Sequence, residues 1–252
     1  MDTNISYYSI FVVLYIVMAT SLYLSSRKEN KQNLLILFLY YIITSVSLVI
    51  LMTNTQITLT LYTIVSLITT VVLLTFINRT FYQGRKSPFK IILISAIILR
   101  ITELIISLVY AGGVTVDNEI YGSLEMIRVI SIGSGIILSA FWMFMSSMNS
   151  LKSLSSSKAV EPWVKGRFKL IEFYNICDIV MGILIIWASP TPMGNQISLA
   201  TLLILALNMF KISTELLAWV MPKRFKNYLN RGYTSTDIIE ELSEEEIMEG
   251  MR

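Results

Sequence analysis

Seven long apolar runs, separated by short polar links, leave this chain few folds to choose from. They cover roughly residues 7–26, 34–53, 58–78, 91–112, 123–147, 169–189 and 197–221. Each is close to the ~20 residues a helix needs to cross the ~30 Å hydrocarbon core of a bilayer. No water is present at that depth to satisfy backbone N–H and C=O groups, so each run must close its hydrogen bonds within itself. Barrel strands are shorter and alternate in polarity, which does not produce unbroken runs of this length. The expected fold is all-α: a polytopic bundle of seven transmembrane helices over 1–222, followed by a basic juxtamembrane segment and an acidic tail over 223–252. Composition agrees, with 54% of the 252 residues hydrophobic, 15% charged and a mean hydropathy of +0.66. That profile excludes an ordinary soluble globule. The opening MDTNIS is acidic and free of Lys, unlike the start of a secretory signal, so the first run reads as a retained helix.

The links carry a second message. Arg27, Lys28 and Lys31 follow the first run; Arg79, Arg85, Lys86 and Lys90 follow the third. Lys152, Lys158, Lys165, Arg167 and Lys169 follow the fifth, and Lys223, Arg224, Lys226 and Arg231 follow the seventh. The alternate links hold no Lys or Arg, only Asp117 and Glu119. The positive-inside rule then places the N-terminus outside and the C-terminus in the cytoplasm of a multi-pass protein, expected in the cell (plasma) membrane. Trp142, Trp187 and Trp219 fall toward run ends, where interfacial aromatics are expected. The longest link, 148–168, reads as a Ser-rich cytoplasmic loop. The tail carries Asp237, Glu240, Glu241, Glu244, Glu245, Glu246 and Glu249, with Ser243 and Glu246 at capping-box spacing. It reads either as a solvated acidic extension or as a docking segment for a cytoplasmic or membrane protein. The bilayer is the first expected partner; the net charge of +3 is scattered among links and indicates no nucleic acid.

Charge inside the runs is what bears on function. A full charge at membrane depth costs ~2.5–3.5 kcal/mol on insertion scales, so it is kept for a partner, a ligand or a pathway. The fourth run holds Arg100, Glu103 and Ser107; the fifth Glu125, Arg128, Ser131, Gly135 and Ser139. The sixth holds Glu172, Asn175, Asp178 and Gly182; the seventh Asn208, Lys211 and Glu215. Spacings of three and four put each set on one helical stripe, which must turn away from lipid. The candidate ligand or ion site is therefore Arg100, Glu103, Arg128, Asp178, Asn208, Lys211 and Glu215, with Glu125, Glu172 and Asn175 peripheral, in one polar cavity among helices 4–7. Three bases face five acids; if Glu125 and Glu172 reach water at the two surfaces, the buried set balances. The plainer reading is that these pairs only lock helix to helix. Tyr40, Tyr41, Thr44 and Ser47 of the second run, with Thr63, Ser66 and Thr70 of the third, either line the same cavity or bond their own backbone.

Several chemistries are set aside. The absence of histidine excludes His-ligated haem, His-based zinc and histidine acid–base catalysis. The lone Cys177 reads as a packed apolar residue. No nucleophile–base pair is visible, and Asp178 has no second mid-membrane aspartate, so neither an enzyme nor a cofactor is expected.

Seven spans, an external N-terminus and Lys211 midway along the last resemble microbial rhodopsins, where such a lysine carries retinal. That family also places an acid in the third helix and another one turn before the lysine. Here the third run has none, and Leu207 stands four before Lys211, so the resemblance is architectural and no family is assigned. Two function classes follow from the residues: a membrane sensor or regulatory subunit with cytoplasmic output through 148–168 and the tail, or a transporter or proton pathway using the same charges. The second expects Gly or Pro breaks at mid-depth, for which only Gly135 and Gly182 stand.

Overall fold

The computed structural model describes residues 3–29, 32–53, 56–83, 86–112, 118–155, 160–188, 199–231 and 233. All regular structure among these is helical: α1 Thr3–Glu29, α2 Gln32–Met52, α3 Gln56–Phe81, α4 Phe89–Ala111, α5 Asn118–Ser155, α6 Pro162–Ala188, α7 Leu199–Val220 and α8 Lys223–Leu229. The first seven are long and apolar enough to cross a membrane. Each packs on the next, and α7 packs back on α1, so the seven close into a ring. The acidic tail beyond Tyr233 lies outside the described residues, as do Lys31, Arg85 and Lys158.

Burial is arranged for a lipid solvent. Tyr41, Tyr174, Phe76, Trp219, Leu22, Leu37 and Leu74 fill the interior, while Ile91, Ile57, Leu199 and Phe210 stand exposed on the outer faces. In water so large an apolar jacket would aggregate; against acyl chains it is the expected surface. The fold is that of a multi-pass integral membrane protein.

Two expectations need correction. The 148–168 link is not a loop: α5 continues to Ser155 and α6 begins at Pro162. At ~1.5 Å per residue the 38 residues of α5 span about 57 Å, well beyond a bilayer core. Hydropathy marks only the lipid-bathed part of a helix, and the polar turns beyond it are held by packing: Ser147 Oγ donates to the Phe168 carbonyl at 3.0 Å. Proline at the first position of α6 needs no N–H, which suits it to start a helix. The second correction concerns tryptophan. Trp187 is 74% exposed, as an interfacial residue would be, but Trp142 and Trp219 are each 4% exposed and belong to the core.

The basic end of the bundle is finished by α8. Met221, before Pro222, cannot continue the helix and takes φ 39°, a left-handed conformation unusual for a side-chain-bearing residue. Pro222 then accepts the first α8 hydrogen bonds, from Phe225 N–H at 2.9 Å and Lys226 N–H at 3.0 Å. The turn folds α8 onto the start of α6. Leu229 lies against Gly166, and the Lys226 ammonium sits 4.0 Å from the Trp163 ring centroid. Asn230 donates to Glu161 Oε2 at 2.6 Å and accepts from the Trp163 N–H at 3.1 Å.

Candidate functional site

Asn208, Lys211, Glu215 and Trp219 follow one another at spacings of three, four and four along α7, so they form a single stripe. Lys211 Nζ donates to Asp178 Oδ1 of α6 at 3.0 Å, with both side chains largely buried. The pair ties α6 to α7. Tyrosines surround it: the Tyr15 hydroxyl of α1 donates to Asn208 Oδ1 at 3.4 Å, and Tyr15 and Tyr40 both lie within electrostatic range of Lys211. One turn further, Glu215 is buried and faced by the Tyr41 hydroxyl of α2. Neither Tyr41 Oη nor Glu215 Oε2 makes a hydrogen bond of good geometry. A further turn on, Trp219 Nε1 donates to Tyr174 Oη at 3.2 Å, the Tyr174 O–H points to Met143 Sδ at 3.4 Å, and the Arg167 guanidinium lies 4.9 Å from the indole centroid. Phe76 of α3 packs edge-on against the same indole.

A second cluster joins α3, α4 and α5. Arg100 donates through Nη1 to Glu103 Oε2 at 2.7 Å and through Nε to Thr70 Oγ1 at 3.1 Å, beside Gly135 of α5. Glu103 is fully buried, and its Oε1 has no hydrogen-bond partner. Ser107 Oγ extends the seam, 3.2 Å from Thr63 Oγ1. Arg128 and Glu125 form a bidentate pair at 2.5 and 2.8 Å, with the Tyr110 hydroxyl 3.5 Å from Glu125 Oε2 and Glu103 within electrostatic range of Arg128. They are more exposed than the other pairs, at 19% and 29%.

The ten candidates thus fall into groups instead of one cavity among helices 4–7. Asp178, Asn208, Lys211 and Glu215 meet tyrosines of α1 and α2. Arg100 and Glu103 bond across α3 and α4, and Arg128 pairs with Glu125 on its own helix. Tyr62 of α3 is within electrostatic range of Arg100 and Glu103 of one group and of Tyr15 beside the other. Asn175 spends its amide on its own helix, donating to the Ile171 carbonyl at 2.7 Å, and Glu172 keeps Oε1 buried without a partner. The reason is ring closure: α7 packs against α1, a neighbour that no periodicity within α7 announces.

The hydroxyls of α2 and α3 divide. Thr44, Ser45 and Ser47 bond carbonyls of their own helix, whereas Thr70 also accepts from Arg100 and Thr63 meets Ser107 across helices. The close approach of α5 and α6 runs through Gly133 and Gly182, whereas Gly135 faces the Arg100 guanidinium of α4. Tyr15, Tyr174 and Arg167 carried no sequence signal for the site; Trp219 did, four residues beyond Glu215 on the same stripe. No protein family, curated protein or solved structure matches the chain.

Proposed function

We propose that this protein is a sensor or regulatory subunit of the plasma membrane, with the Lys211–Asp178 pair as its switch and the basic, cytoplasmic end as its output. One observation carries the reading: the α7 stripe runs without interruption from Lys211 through Glu215 to Trp219, then turns at Met221 and Pro222 into α8. A buried ion pair stabilises little over an apolar isostere, yet losing one partner is costly, which makes it a good two-state element. A proton or charged solute that takes one partner would free α6 from α7. The displacement would reach Trp219, Tyr174 and Arg167, and then α8 on its seat at Trp163 and Gly166. The acidic tail that follows α8 would pass the change to a protein partner.

A second reading is a proton or ion pathway. It is favoured by the buried oxygens of Glu103, Glu172 and Glu215 that lack hydrogen-bond partners, since such carboxyls can hold and release protons. Reconstituted protein separates the two. The sensor reading expects deuterium uptake in 223–231 to change with pH or charged solute, and the response to vanish in Lys211→Met. Gradient-driven flux abolished by both Asp178→Asn and Lys211→Met, with α8 unresponsive, would replace it with the pathway.

A further inference from the structure

At the basic end, the first turn of α2 and the last turn of α3 with the two residues beyond it enclose a groove of about 360 Å³, lined by Asn33, Asn78, Arg79, Tyr82 and Gln83. Its lining is polar, and it lies apart from both charge clusters in the bundle. Tyr82 gives it a rigid wall: the hydroxyl accepts from Trp142 Nε1 at 3.2 Å and Ser146 Oγ at 3.0 Å, and the ring stacks on Trp142. Arg79 is exposed and forms no ion pair with a described residue. Asn78 Oδ1 is buried and has no hydrogen-bond partner. A guanidinium asks for an anion, and its planar fork matches a carboxylate or a phosphate bidentately. An orphaned amide oxygen asks for a donor, which a bare phosphate diester lacks and a hydroxyl supplies. The surroundings favour a lipid over a free anion. The groove lies at the ends of two membrane-spanning helices, α2 and α3, at the basic end of the bundle, where a lipid headgroup is the anion at hand.

We infer that this groove binds the headgroup of an anionic, hydroxyl-bearing phospholipid of the phosphoglycerol type, with the phosphate on Arg79 and a headgroup hydroxyl on Asn78 Oδ1. The positive-inside rule puts the site in the cytoplasmic leaflet, where anionic lipids are held by basic residues.

Native mass spectrometry of the full chain in detergent tests this with three lipids. Phosphatidylglycerol is the expected ligand, phosphatidylethanol has the same charge without the hydroxyl, and phosphatidylcholine is zwitterionic. Phosphatidylglycerol should bind about fivefold tighter than phosphatidylethanol, the worth of one neutral hydrogen bond. Arg79→Ala should weaken both anionic lipids about tenfold. Asn78→Leu should erase the preference between them while leaving anionic binding. Soluble glycerol 3-phosphate in tenfold excess should not displace the lipid; displacement at equal concentration would overturn the lipid assignment. Equal binding of the two anionic lipids by the unaltered chain, or wild-type retention by Arg79→Ala, would overturn the site itself, and neither depends on the fold tolerating Asn78→Leu.

Discussion

Replacing Lys211 with methionine removes the ammonium and keeps most of the stem's volume, so it isolates the charge. The Nζ–Oδ1 separation is 3.0 Å, with 13% and 15% side-chain exposure for Lys211 and Asp178. At an effective dielectric of ~20, Coulomb attraction at that distance is about 5.5 kcal/mol, most of it offset by the desolvation of two ions. Breaking the pair from one side leaves the carboxylate buried without compensation, and such losses run to ~3–5 kcal/mol. Lys211→Met should therefore destabilise the protein by about 3 kcal/mol. Asp178→Asn should cost about 2 kcal/mol, because the amide still accepts one hydrogen bond from the ammonium. The double variant buries no charge at this position and should fall within about 1 kcal/mol of the parent. Reversible unfolding in mixed micelles, followed by tryptophan fluorescence, gives all four corners of the cycle. The expected coupling is about 4 kcal/mol, the two single losses less that of the double variant. Additive single losses, with coupling under about 0.5 kcal/mol, would mean that the two groups do not sense each other, and the switch would have no basis.

Three other outcomes are expected. Gly133→Ala and Gly182→Ala should each cost about 1–3 kcal/mol in thermal melts, because a Cβ at Gly133 would come within 2.5 Å of Ile186 and 2.7 Å of the Gly182 carbonyl, and one at Gly182 within 2.9 Å of the Gly133 carbonyl. Arg100→Leu should destabilise by about 3 kcal/mol by stranding the buried Glu103, and adding Glu103→Gln should recover most of it, whereas Arg128→Leu at the more exposed pair should cost under about 1 kcal/mol. Trp219→Phe removes the bond to Tyr174 and weakens the contact with Arg167; a loss of about 1–2 kcal/mol and faster deuterium uptake in 223–231 should follow.

Much of this architecture can be read without coordinates. Bilayer thickness and backbone hydrogen bonding convert seven apolar runs into seven helices, and period-3.6 geometry puts Lys211 and Glu215 on one stripe. These are local constraints, satisfied within one run at a time. The helix ends resisted, since α5 to Ser155 and α6 from Pro162 are polar turns sustained by their packing. The choice of partner also resisted. Nothing local says that Lys211 meets Asp178 among tyrosines of α1 and α2 while Arg100 turns to Thr70, or that α8 folds back onto Trp163. Helix rotation and ring closure are decided by how all seven surfaces fit together, because in lipid the hydrophobic effect favours no one face-to-face pairing of apolar helices over another, and close packing and polar contacts select among them.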